Sequence, residues 1–113
     1  MSASRAQPMK QPRDQELYQK AQKIKSQIDQ LITKMNQNQK FMPTRDTLES
    51  YAQALIQFIN TYHDRVVNYQ APLKAAIIDL TEVPEMAPQM QRISFQTALI
   101  DASAELQRFL GWC

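Results

Sequence analysis

One step dominates the spacing of apolar positions along this chain: four residues, then three. Between Thr44 and Leu73 it passes through Leu48, Ala52, Leu55, Ile59, Tyr62, Val66, Tyr69 and Leu73, all apolar or aromatic. Alternating steps of four and three keep one stripe of an α-helix turned toward one partner over many turns. Tyr51 and Phe58 widen the stripe, while Gln53, Gln57, Asn60, Asp64 and Asn68 occupy the opposite side. A helix of this kind cannot bury its stripe alone, so the rest of the chain must supply helices that cover it.

The same step occurs upstream, through Leu17, Ala21, Ile24, Ile28, Leu31 and Met35, with Ile32 broadening the face. It predicts a first helix from about Arg13 to Gln39, with Asp14 and Glu16 complementing the dipole at its start. Phe41-Met42-Pro43 makes the corner, and Thr44 is a good N-cap for a second helix reaching about Gln70. Pro72 lacks an N–H and would clash with the carbonyl four residues earlier, so the second helix is expected to kink or break there. Leu73 to Leu80 then resumes as a kinked continuation or a separate short helix. A last helix starts between Pro84 and Pro88 and ends at Gly111, where a left-handed glycine cap would let Trp112 fold back onto Leu106.

That last helix carries two apolar rows. One is Phe95, Leu99, Ala102, Leu106 and Phe109; the other is Met86, Met90, Ile93, Ile100 and Ala104. A helix at the edge of a small bundle needs only one. Two rows imply a central helix covered from both sides, the commoner arrangement within one small domain, or a side covered by another chain.

Composition narrows the class. The 113 residues contain one glycine, three valines and 16 glutamines, which favours helix over sheet. The expected fold is all-α: a small three- or four-helix bundle of long, heptad-patterned antiparallel helices. It forms a single domain over residues 13–113, behind a disordered tail over residues 1–12 that holds Pro8 and Pro12 and has no apolar face. The longest apolar run, Ala75 to Ile78, is far below the roughly 20 residues needed to cross a bilayer. Cys113 is the only cysteine, so no intrachain disulfide can form. These features read as a soluble, cytoplasmic protein.

Net charge is only +2, but it is unevenly distributed. Residues 1–40 carry eight Lys or Arg against three acids, and residues 41–113 carry five against eight. The plain reading is a solvated basic helix with counter-charges on its neighbours; the sharper one is an anion-facing surface. Arg13, Lys20, Lys23 and Lys34, interleaved with Gln27 and Gln30, lie along one flank of the first helix, where they would track a phosphate backbone. Tyr18 is the one nearby aromatic and sits on the opposite flank, so the stacking part of single-strand recognition is missing locally.

Catalytic groups are scarce. His63 is the only histidine, and its neighbour Asp64 points about 100° away on a helix, so the two are not an oriented pair. A four-ligand zinc site needs more Cys and His than this chain has, and the lone glycine excludes a glycine-rich phosphate loop. Asp79, Glu82 and Glu85 step by three across a predicted loop and read as hydrated carboxylates. The chain therefore reads as a non-enzyme, with no cofactor, metal or small-molecule substrate expected.

Two functional classes remain. The first is an interaction module, a subunit, adaptor or chaperone, that binds another protein or a second copy of itself through apolar helix faces. Its candidate interface residues are Met86, Met90, Ile93, Phe109 and Trp112, chosen because methionine adapts to irregular partners and tryptophan often carries binding energy. Taken singly, the methionines also read as ordinary core. The second class is a small subunit of a nucleoprotein complex that touches RNA or DNA phosphates with Arg13, Lys20, Lys23 and Lys34.

Overall fold

The computed structural model describes residues 14–113. Arg13 and the tail expected over residues 1–12 lie outside the described residues. Among the described residues there are five helices and no strands: α1 (Gln15–Gln37), α2 (Arg45–Thr61), α3 (His63–Val66), α4 (Gln70–Thr81) and α5 (Pro88–Trp112). The all-α expectation holds.

The first two helices start at the expected caps. The Asp14 carboxylate accepts the Leu17 N–H at 3.3 Å, and Thr44 Oγ1 accepts the Thr47 N–H at 3.2 Å. Each satisfies one of the backbone donors left without an intrahelical partner. The buried face of α1 is Leu17, Ala21, Ile28, Leu31 and Met35, with Ile24 half-buried beside it. In α2 the buried line runs Leu48, Ala52, Leu55 and then Phe58, so the stripe leans toward Phe58 and leaves Ile59 and Tyr62 half-buried.

Two expected boundaries move. The second helix ends at Thr61 and does not reach Gln70; the chain leaves helical geometry at Tyr62 (φ −113°, ψ 30°) and again at Tyr69 (φ −127°, ψ 18°). Pro72 is the third residue of α4, where a missing N–H forfeits no intrahelical hydrogen bond. The segment after it belongs to a separate helix. The reason is tertiary: α4 folds back along α2, with the Arg45 guanidinium donating to the Val83 carbonyl at 2.9 Å, and a kinked continuation could not reverse direction.

The second change is at the C-terminus. Gly111 lies inside α5 and no left-handed cap forms; the helix closes with the Cys113 N–H donating to the Phe109 carbonyl at 3.1 Å. Nothing lies within 4 Å of where a Cβ on Gly111 would sit. Gly111→Ala is therefore expected to stabilise the fold by up to about 0.5 kcal/mol, because alanine loses less backbone entropy in a helix. A thermal melt should show a rise of a few degrees at most; a fall would mean this last turn is not helical in solution.

The helices pack in a closed order, α1 against α2 and α5, and α4 against α2 and α5. Neighbours run antiparallel: Ser103 of α5 bonds Asp29 of α1, while Gln96 donates to Asn36 at 2.6 Å, further along α1 and earlier in α5. The core holds Leu48, Leu55, Leu73, Leu80, Leu99 and Leu106, and no polar or charged residue among those described is buried. Burying each such leucine contributes roughly 1.5–3 kcal/mol.

Two arginines tie the ends together. The Arg92 guanidinium, on α5, donates to the carbonyls of Met35, Phe41 and Asn38 where α1 gives way to α2. At the other end Arg65 pairs with Asp14 at 2.7 Å and Glu16 at 2.9 Å, and the Tyr62 hydroxyl donates to Glu16. The Arg65 hydrogen bonds hold both carboxyls below their ordinary range.

Candidate protein-binding face

In α5 one apolar row is covered and the other is not. Phe95, Leu99, Ala102, Leu106 and Phe109 are buried. Met86, Met90, Ile93 and Ile100 are 44%, 51%, 56% and 48% exposed, and Ala104 is exposed as well. The expectation that both rows are covered within the domain is therefore corrected, as is the core reading of the methionines. The cause is helix length. α4 has 12 residues against 25 in α5 and runs out along the first half of α5, where only its last turn and the 82–87 connection flank Met90 and Ile93.

The result is an open groove of about 490 Å³ between the end of α4 and the start of α5. Its apolar lining includes Val83, Met86, Met90, Ile93 and Ile78, the last 50% exposed on α4. Sequence reading missed Ile78. Helical spacing gives the Leu73–Leu80 segment an apolar side of Leu73, Ala76, Ile77 and Leu80, and nothing local to α4 signals that Ile78 meets the exposed row of another helix. Met86 precedes α5, where its N–H donates to Gln91 Oε1 at 3.1 Å and Ser94 Oγ to its Sδ at 3.0 Å.

Asp79, Glu82 and Asp101 line the same groove. Of the three expected loop carboxylates only Asp79 is helical; Glu82, the C-cap of α4, and Glu85, paired with Arg45 at 3.1 Å, lie in the 82–87 connection. Burial, then the charges of Asp101 and Glu105, push the Asp79 carboxyl above its ordinary range. A raised native value means the ionised group opposes folding above it; the opposition shrinks as pH falls from the native to the unfolded value and is gone below the latter. Asp79→Asn is accordingly expected to raise the melting temperature at pH 7 and to leave it unchanged near pH 3. A gain of equal size at both pH values would point to packing instead of charge.

The other predicted interface residues lie elsewhere. Phe109 is completely buried, its ring 5.7 Å from Phe58 and 6.4 Å from Tyr69, both edge-on. It is a core residue and is withdrawn from the candidate interface. Trp112 is 45% exposed at the far end of α5, its ring 6.2 Å from Tyr69 and 5.6 Å from the Arg108 guanidinium. It is remote from the groove.

The basic flank is split by the fold. Lys20 and Lys23 share a shallow groove between α1 and α2 with Gln27, Gln57 and Tyr62, whose hydroxyl donates to Glu16. Lys34 sits instead over the Phe41 ring, 4.3 Å from its centre, near the opposite end of α1. The tertiary structure brings Tyr62 to the lysines from α2, an aromatic that α1 lacks on this flank. His63 is exposed, its Nδ1 3.4 Å from the Asp64 carboxylate.

No family model, curated protein or solved structure matches this chain. Among the described residues, no helix is long and apolar enough to cross a membrane.

Proposed function

We propose that this protein is a non-enzymatic helical interaction module, a subunit, adaptor or chaperone of a larger assembly, working in the cytoplasm. Its scaffold on this reading is an up-and-down four-helix bundle of α1, α2, α4 and α5, with α3 as a corner. It binds a protein partner through the apolar face formed by α4 and the first half of α5. The observation that carries the reading is the set of exposed side chains Met86, Met90, Ile93 and Ile78 lining one groove, with Ile100 two turns beyond Ile93 on α5. Contiguous exposed apolar side chains rimmed by polar ones characterise protein-binding surfaces, whereas scattered single ones do not. Methionine's flexible thioether suits a contact that must adapt to its partner.

Replacing Met90 and Ile93 by glutamate tests this. Both are about half-exposed, so each change is expected to alter stability by no more than about 0.5 kcal/mol. The double variant should keep the helical circular dichroism and melting temperature of the parent. It should also lose the partner that the parent retains in quantitative cross-linking. Retention of the same partner at the same yield would refute the reading.

A second reading rests on the groove of Lys20 and Lys23. Two cations beside Gln27 and Gln57, with Glu16 held by Tyr62 and Arg65, suit a nucleic-acid backbone running along the lysines. On this reading Lys20→Gln/Lys23→Gln weakens binding and flattens its salt dependence by about two ions. Lys34, already over Phe41, contributes little.

A further inference from the structure

The groove between α4 and α5 is apolar along its floor, and every ionisable side chain that lines it is acidic: Asp79, Glu82 and Asp101. All three belong to residues 41–113, the stretch that carries eight acids against five Lys or Arg. The nearby cations are committed elsewhere or out of line. Arg45 pairs with Glu85, Arg92 donates to the carbonyls at the end of α1, and Lys74 lies one helical turn before Ile78 without lining the groove. We infer that this face takes a short amphipathic helix of another protein, one that carries Lys or Arg beside its apolar stripe. The inference rests on the reading of the α4–α5 face as a protein-binding surface and adds the chemistry of the occupant.

Geometry supports a helix as the form of that occupant. Met90 to Ile100 spans ten residues of α5, about 15 Å at 1.5 Å per residue, which is close to three helical turns. On α5 the exposed positions Met90, Ile93 and Ile100 keep the three-seven spacing by which one helix seam matches another, and Met86, in the connection before α5, lines the groove beside Met90 and Ile93. Charge then selects among helices. Asp79 and Asp101 line the same groove and the Asp101 charge opposes ionisation of Asp79, so a cation seated in the groove relieves that repulsion.

The same charges argue against the other occupants. A second copy docking by two-fold symmetry would set Asp79, Glu82 and Asp101 of each chain against those of its partner, and like charges across an interface are disfavoured. A nucleic-acid phosphate would meet the same carboxylates.

The test uses the full chain and two fluorescent synthetic helices of about 14 residues. They share one apolar face of Leu and Phe at heptad spacing; one has Lys on both flanks, the other Glu. Fluorescence anisotropy is expected to show the Lys helix binding at least tenfold more tightly, with affinity falling as salt rises. In Asp79→Asn/Glu82→Gln/Asp101→Asn the preference should shrink about tenfold and the salt dependence flatten. In Met90→Glu/Ile93→Glu the apolar contact should be lost.

Equal binding of both helices, abolished by the Met90 and Ile93 changes, would overturn the charge selection and leave the binding face standing. Failure of both helices to bind, with sedimentation showing a dimer that those two changes dissociate, would make the occupant a second copy and overturn the inference. Failure of both with a monomer throughout would overturn it together with the reading it rests on.

Discussion

Phe109→Ala is expected to destabilise the protein by about 3–5 kcal/mol, the usual cost of removing a buried aromatic ring and leaving a cavity. For a domain of this size that corresponds to a fall in melting temperature of roughly 15 to 30 °C, enough to leave much of the chain unfolded at 37 °C. The ring has no exposed surface and meets Phe58 of α2 and Tyr69 at the start of α4 edge-on, so its loss uncouples three elements at once. Phe109→Leu keeps most of the apolar volume and should cost about 1–1.5 kcal/mol. Trp112→Ala, three residues on at a half-exposed position, should cost less than about 1 kcal/mol. If thermal melts rank Trp112→Ala as the more damaging change, the core is not arranged as described.

The second large effect belongs to Arg92. Its guanidinium collects the Met35, Asn38 and Phe41 carbonyls, which lie at and just beyond the last turn of α1 and include acceptors with no helical donor. Charge-assisted bonds of this kind are individually worth about 1.5–3 kcal/mol, and here the positive group also faces the negative end of the helix dipole. Arg92→Ala is expected to cost about 2–3 kcal/mol, lowering the melting temperature by roughly 10 to 20 °C. Lysine cannot present a planar fork to several carbonyls, so Arg92→Lys should recover less than half of the loss. Full recovery by lysine would mean that only charge matters at this site.

These two residues mark how far the chain could be read without its tertiary structure. Phe109 was legible as a member of the continuous row Phe95, Leu99, Ala102, Leu106 and Phe109, and that row is buried throughout. The apolar C-terminal run Phe109-Leu110-Gly111-Trp112 also reads as an interface, because it has no helical phase of its own until the helix is known to continue through Gly111. Arg92 carried no local signal. Its acceptors are 51 to 57 residues away and become neighbours only when α5 lies antiparallel to α1. The candidate site divides in the same way: Met86, Met90 and Ile93 were legible as a second row, Ile78 was not.

What the sequence by itself determined is the helical class, the caps at Asp14 and Thr44, and the stripes of α1, α2 and α5. All of these are set by residues within a turn or two of one another. The tertiary structure alone decided that the corner falls at Tyr62 and Tyr69 instead of Pro72, that Lys34 is parted from Lys20 and Lys23, and that one row of α5 stays open. The physical reason is that periodicity says which side of a helix wants cover, while cover itself depends on where a neighbouring helix ends. Because α4 is only half as long as α5, the first half of α5 keeps a bare apolar side.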